Sequence, residues 1–143
     1  MLLVRLIPLL HWLGASLITP PDAPAKINLK VEVQNIQAQQ GDIYVALFRP
    51  GKEFPEGRPY EGRKVYVTGR TMLITFAVEP GDYAVAIYHD ENSNGKMDKR
   101  LFGIPKEPYG FSNNFRPVVS VPKFQDCRFS IGESGKTISI KLI

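Results

Sequence analysis

The sequence predicts an all-β protein, a single antiparallel β-sandwich of about seven to eight strands. Two observations lead there. Apolar residues alternate with polar ones, as in Ile27, Leu29, Val31 and Val33 set between Asn28, Lys30, Glu32 and Gln34. That two-residue period marks a strand with one buried face. Secondly, 12 glycines and 12 prolines punctuate the chain at short intervals and leave no amphipathic helix of any length between them; both residues break helix interiors.

Ahead of the strands stands a segment that reads as an export signal. Met1 to Arg5 make a short basic start, and Leu6 to Ile18 carries no formal charge. This run is shorter than the roughly 20 residues that span a bilayer and matches a signal-peptide core of about 7–15 residues. Ala23-Pro24-Ala25 supplies small residues at cleavage spacing. Residues 1–25 are therefore expected to be a signal peptide cleaved before Lys26, with an uncleaved anchor as the alternative, and residues 26–143 to be the β-sandwich domain. No cysteine lies near the cleavage zone, which argues against a lipid anchor. The expected location is secreted or periplasmic, without stable membrane insertion once the signal is gone.

The strands follow in order. The first is Ile27–Gln34, and Gln39-Gln40-Gly41-Asp42 turns the chain into a second, with Ile43, Val45 and Leu47 on one face. Arg49 to Gly62 holds three prolines and three glycines and reads as a loop or irregular edge. Val65 and Val67 mark a short strand; Met72, Ile74, Phe76 and Val78 mark another. Glu79-Pro80-Gly81-Asp82 is a tight turn, since proline presets one backbone angle and glycine permits a positive one. Tyr83 to His89 is apolar or small on both faces, which places it centrally in a sheet. Val118–Val121, Phe124–Ile131 and Lys136–Ile143 are the remaining candidate strands, the last two joined by Gly132-Glu133-Ser134-Gly135.

Composition narrows the function classes. With 43% hydrophobic and 22% charged residues, the chain is too apolar to be disordered. The formal net charge of +4 is spread along it, without the clustered basic face of a nucleic-acid binder; no nucleic-acid partner is expected, and a weak attraction to an anionic envelope surface stays open. A single cysteine excludes an internal disulfide framework.

The chemistry concentrates in Asp90–Asp98, which reads DENSNGKMD. Asp90, Asn92, Asn94 and Asp98 stand at relative positions one, three, five and nine, with Gly95 at six. This is the first part of a calcium loop, D-x-[DN]-x-[DN]-G. Calcium takes about six to eight oxygen ligands, and alternate side chains turn inward when the backbone wraps one point. Gly95 permits the bend, after which the carbonyl of Lys96 is a ligand and Asp98 binds directly or through water. Position twelve, a bidentate Glu in the full motif, is Leu101 here. A closing oxygen must come from elsewhere, with Glu107, Asn113, Asn114 or a carbonyl of the 103–114 segment as candidates. The expected metal set is Asp90, Asn92, Asn94, Lys96, Asp98 and Glu107, with weak Ca2+ as the ion. The alternative is a metal-free turn, because Asp and Asn bond their own backbone in turns without an ion.

From Pro80 to Asn114 the sequence PGDYAVAIYHDENSNGKMDKRLFGIPKEPYGFSNN resembles an uncharacterised bacterial secreted family, domain of unknown function 2141. Gly81, Tyr83, Ala84, Val85, His89–Asn92, Asn94, Gly95, Asp98, Gly103–Pro105, Glu107 and Tyr109–Asn114 carry the likeness. Phe124, Asp126 and Phe129 of the later segment also fit. The resemblance implies a secreted or periplasmic β-sandwich and supplies no activity. The sandwich expected is immunoglobulin-like or transthyretin-like; the Pro-Gly-x-Tyr turn resembles transthyretin-like and carboxypeptidase regulatory-like sandwiches, and no counterpart of a transthyretin-like hydrolase's catalytic set is visible.

Other chemistry-bearing residues favour structural roles. His89 lies in phase with Tyr83, Val85 and Ile87 and is read as a residue that positions the loop, or else as a general base or ligand. Cys127, in phase with Phe129 and Ile131, is read as a buried, unreactive thiol. Phe102, Tyr109, Phe111 and Phe115 either pin the long loop against the sheets or line a groove. The expectation is a non-catalytic binding or interaction module with a protein or glycan partner in the cell envelope. Its alternatives are a purely structural envelope protein with a metal-free loop, and a hydrolase using His89 with Asp90 or Glu107.

Overall fold

The computed structural model describes residues 23–143. The signal-peptide expectation, apart from Ala23–Ala25, lies outside the described residues. These form eight strands: β1 (Ile27–Gln34), β2 (Asp42–Phe48), β3 (Glu61–Tyr66), β4 (Met72–Val78), β5 (Gly81–Asp90), β6 (Tyr109–Phe111), β7 (Phe129–Ile131) and β8 (Lys136–Lys141). One helical turn, α1 (Phe124–Cys127), precedes β7. Among the described residues, no helix is long and apolar enough to cross a membrane.

The strands make two sheets. The first has the order β4-β1-β8, and the second runs β3-β2-β5-β6 with β7 also paired to β5. Alternation works as read: Leu29, Val31 and Val33 of β1 are fully buried, opposite Phe76, Ile74 and Met72 of antiparallel β4. These join Ile43, Val45 and Leu47 of β2, Tyr83, Val85 and Ile87 of β5 and Ile140 of β8 in one core cluster. Both sheets therefore bury one face in a shared core, at roughly 1.5–3 kcal/mol for each large side chain removed from water.

The expectation of an all-antiparallel arrangement needs correction. β8 runs parallel to β1, with Val31 opposite Ile138. Alternation encodes which face is buried and is silent on strand direction.

β5 is central, as its two small-or-apolar faces require. Its reverse face carries Ala84 and Ala86, whose size leaves room for rings. There Phe54, from the loop after β2, packs edge-on against Phe48 at 5.2 Å between centroids and against Phe124 at 6.3 Å. Phe111 and Cys127 complete this second cluster, with Tyr109 and Phe115 half-buried beside it. Three of the four loop aromatics thus pin the chain, as one of the two readings had it; Phe102 does not.

Two strand assignments fail. Val118–Val121 forms no strand, and Val118 and Val119 are 93% and 96% exposed. Pro117 and Pro122 flank it, and proline withholds the N–H that a ladder needs. Phe124–Ile131 begins as α1, because residues three apart share a face of a helical turn. Phe124 and Cys127 are both buried there. The backbone N–H of Lys123 donates to Asp126 Oδ2 at 2.8 Å, closing the turn. Cys127 consequently sits in the second cluster while Phe129 and Ile131 sit in the first.

Burial, aided by the charge of Asp126, pushes the Cys127 thiol up to about 12. The thiolate is the reactive form. Cys127 is therefore expected to resist a thiol reagent at mildly alkaline pH in the folded protein and to react fully in denaturant, as read by mass spectrometry.

The segment Tyr109–Asn114 stitches the edges together. Ser112 is fully buried; its Oγ accepts the Val85 N–H at 2.9 Å and donates to the Cys127 carbonyl at 2.5 Å. It fills the gap on β5 between the β6 and β7 pairings. Asn113 Nδ2 donates to the Arg128 carbonyl at 2.9 Å. Asn114 donates to Ser139 O at 3.2 Å and accepts the Lys141 N–H at 2.8 Å. A Cβ on Gly110 would come within 2.9 Å of Ile140 Cγ2, so glycine lets β6 approach β8.

Candidate functional site: a braced loop and its finger

The loop after β5 starts from a crowded root. Asp90 lies opposite Asp42 of β2, and Gly41 sits against it with φ +79°. A Cβ there would fall 2.1 Å from the Asp90 carbonyl oxygen, so the approach needs glycine on two counts. Asp90 itself is fully buried. Its Oδ1 accepts the Asn94 N–H at 3.0 Å and its Oδ2 the Gly95 N–H at 2.7 Å. Ser93, at φ 55°, and Gly95, at φ 81°, supply the left-handed bends that curl the backbone around this carboxylate.

Glu107 does the same from the far end of the loop. It is buried; Oε1 accepts the Glu91 N–H at 3.1 Å and Oε2 the Asp98 N–H at 2.9 Å. Two carboxylates thus satisfy four backbone donors in a segment with no neighbouring strand to do so. Bonds to ionised acceptors are about twice as strong as neutral ones.

Outside this brace lies a polar cluster. Asn92 Nδ2 donates to Asp98 Oδ2 at 2.7 Å, and Asn94 Nδ2 donates to both Asp98 oxygens, at 2.9 and 3.0 Å. The Asn oxygens face backbone: Asn92 Oδ1 accepts the Asn94 N–H and Asn94 Oδ1 the Lys96 N–H, each at 3.1 Å. Asn94 first and Asn92 second hold the Asp98 carboxyl below its ordinary range, and the charges of Lys96 and Lys106 add to this. On β5 just before the loop, Tyr88 stacks on Tyr44 at 4.7 Å. Burial first, then Tyr44, Asp90 and Glu107, push its phenol up to about 12.

From Asp98 the chain rises into a short finger. The Lys106 N–H donates to Asp98 O at 2.8 Å, Lys99 bridges Pro105, and the Arg100 N–H donates to Ile104 O at 2.7 Å. Leu101–Gly103 form the tip. Phe102 takes φ 62°, a conformation rare for a bulky residue, and is 98% exposed. Leu101 and Ile104 are exposed beside it. Lys99 Nζ reaches Glu56 Oε1 at 3.1 Å and ties the stem to the loop after β2. Neither of the roles expected of Phe102, pinning the loop or lining a groove, describes it. The local signal was Phe102-Gly103 between basic residues, which reads as a turn.

Of the expected metal set, Asp90, Asn92, Asn94 and Asp98 share one hydrogen-bonded loop, and Glu107 lies across from Asp90 as the residue closing it. Lys96 is exposed. Asn113 and Asn114 are committed to Arg128, Ser139 and Lys141, away from the loop. Among the described residues, no three His, Cys, Asp or Glu side chains group as a metal-holding set. His89 is fully buried. Its Nε2 is 2.7 Å from the Gln40 carbonyl, which only accepts, so Nε2 carries the proton. Nδ1 has no hydrogen-bond partner, and the acid near it is Glu91, at 3.9 Å, rather than the Asp90 or Glu107 of the hydrolase alternative.

Two mostly filled faces on the β5 sheet, and a loop held by buried carboxylates, define a β-rich domain that presents an ordered projection at Asp98–Lys106. The chain belongs to the family described as "Uncharacterized protein conserved in bacteria (DUF2141)", whose model matches residues 31–139. That span runs from within β1 to within β8, so it takes in the loop and the finger. No curated protein and no solved structure matches the chain.

Proposed function

We propose that the protein is an exported, non-catalytic β-sandwich whose loop between β5 and β6 is a binding platform for a component of the cell envelope. The carrying observation is the pairing of opposites in one loop: a base braced by buried Asp90 and Glu107, and a tip whose Phe102 is 98% exposed. Leu101 and Ile104 are exposed beside it, and a contiguous apolar patch carried on a loop supports an interaction site. The non-catalytic reading draws support from burial of His89 and of the Cys127 thiol, which keeps both from a substrate. The sandwich reading draws support from the core cluster that both sheets share.

Co-sedimentation with isolated bacterial envelope tests it. The parent protein is expected to pellet with the envelope, and a Leu101→Ser/Phe102→Ser variant to stay in solution with an unchanged melting temperature. Equal pelleting of both would contradict the platform role of the tip.

One observation favours Ca2+ as a second component. Asp98 carries two carboxylate oxygens at the loop surface, met only by the amides of Asn92 and Asn94. Rotating those amides would turn their oxygens toward a cation. Terbium luminescence sensitised through Tyr88 decides this: a signal abolished by Asp98→Ala supports the ion, and silence in the parent protein removes it.

A further inference from the structure

We propose that the finger Asp98–Lys106 inserts shallowly into an anionic phospholipid surface, with Leu101, Phe102 and Ile104 entering the headgroup–acyl boundary and the basic stem meeting the lipid charge. This rests on the platform reading and names its partner.

Shape comes first. The three side chains sit at the tip of a narrow hairpin, 82%, 98% and 56% exposed. A stable protein interface buries about 1,200–2,000 Å² with matched shape, far more than three side chains provide. A bilayer has no such demand: it accepts any apolar projection, and the gain scales with the apolar area inserted.

Charge selects the kind of bilayer. Lys96, Lys99, Arg100 and Lys106 lie within the loop and stem, against Asp98 alone among the exposed or half-exposed acids from residue 96 to 106. Lys99 is engaged by Glu56, whereas Lys96, Arg100 and Lys106 have no ion-pair partner among the described residues. Apolar residues ringed by basic ones are the composition of interfacial anchors on anionic lipid. The whole chain is basic as well, with a pI near 9.2.

Order completes the argument. The Lys106–Asp98 and Arg100–Ile104 backbone bonds and the Glu107 brace fix the tip before contact, so little ordering entropy is lost on insertion. The left-handed Phe102 turns a bulky ring outward at the apex, where the neighbouring Gly103, at φ 73°, also bends.

The test places a fluorophore at the apex of the exported domain, residues 26–143, which lacks Trp12 and the apolar run Leu6–Ile18. The reporter variant Phe102→Trp is mixed with vesicles of phosphatidylglycerol and phosphatidylcholine carrying a nitroxide on the upper acyl chain. The expected result is a blue shift and quenching of the apical indole that vanish with phosphatidylcholine alone and weaken in high salt. A Tyr66→Trp control of the same domain should stay unquenched. Arg100→Gln/Lys106→Gln on the reporter background should weaken binding roughly 25-fold, at about fivefold per charge. Unchanged emission from the apical indole overturns the proposal, as does equal quenching with neutral vesicles. A blue shift that grows with protein concentration in the absence of vesicles assigns the tip to a second copy and also overturns it. Envelope pelleting that persists without vesicle binding sinks the lipid assignment and leaves the platform standing.

Discussion

Gly41→Ala is expected to lower stability by roughly 2–5 kcal/mol. Two causes add. Holding a non-glycine residue at φ +79° costs about 1–2 kcal/mol. The new methyl would lie 2.1 Å from the Asp90 carbonyl oxygen and 2.8 Å from Glu91 Cα, and forcing extra volume into packed structure costs about 1–3 kcal/mol more. Neither neighbour is a flexible side-chain end. The Gly41 carbonyl also accepts the Val67 N–H at 3.0 Å, so displacement would pull on β3 and on the loop root together. A fall in melting temperature of roughly 8–20 °C should follow. Gly95→Ala is the control: φ is +81° but nothing lies within 4 Å of its Cβ, so only the backbone share of the loss should appear. Equal losses in the two variants would show that the close approach to Asp90 contributes nothing.

Glu107→Gln should be nearly as costly, at roughly 2–4 kcal/mol, despite being isosteric. Both Glu107 oxygens accept backbone N–H groups. Glutamine keeps one oxygen and turns an NH2 group toward a backbone donor, stranding it. A charged hydrogen bond contributes about 1.5–3 kcal/mol, and a buried unsatisfied donor costs about 1–3 kcal/mol. Asp90→Asn follows the same logic at Asn94 and Gly95. Thermal denaturation measures both variants. Near-parental midpoints would mean that water replaces these bonds and the brace is unimportant. Glu107→Gln should also loosen the finger, because Glu107 ties Asp98, the first residue of its stem, to Glu91.

β1, β2, β4 and β5 are legible in the sequence because Leu29, Val31, Val33 and their partners Ile74 and Phe76 repeat every second residue, whereas the three-residue β6, within what reads as one long loop, is too short to show a period. β5 was legible as central from its paired small and large faces. Phe124–Cys127 was misread because two apolar residues three apart fit a helical turn and break a strand's phase; Asp126, three residues after Lys123, was the available signal. The parallel β1–β8 pair had none, since direction leaves no trace in alternation. At the site, the Asp90-x-Asn92-x-Asn94-Gly95 spacing locates the loop, and Glu107 is one of several candidates for a closing calcium ligand beside Asn113, Asn114 and a carbonyl of the 103–114 segment; its bonds to the Glu91 and Asp98 N–H groups leave no mark in that spacing. The spacing could not tell an oxygen aimed at an ion from one aimed at an amide, because both curl the chain the same way. Phe102 was misplaced because apolar character alone implies burial, whereas a three-residue turn on a self-bonded stem leaves its apex nothing to pack against.

Amide hydrogen exchange in chelator tests the central claim most directly. With calcium removed, the N–H groups of Glu91, Asn94, Gly95 and Asp98 should exchange far more slowly than in an open chain, and Glu107→Gln should release those of Glu91 and Asp98. Rapid exchange at all four, with protection restored only by added calcium, would contradict a loop held by its own carboxylates.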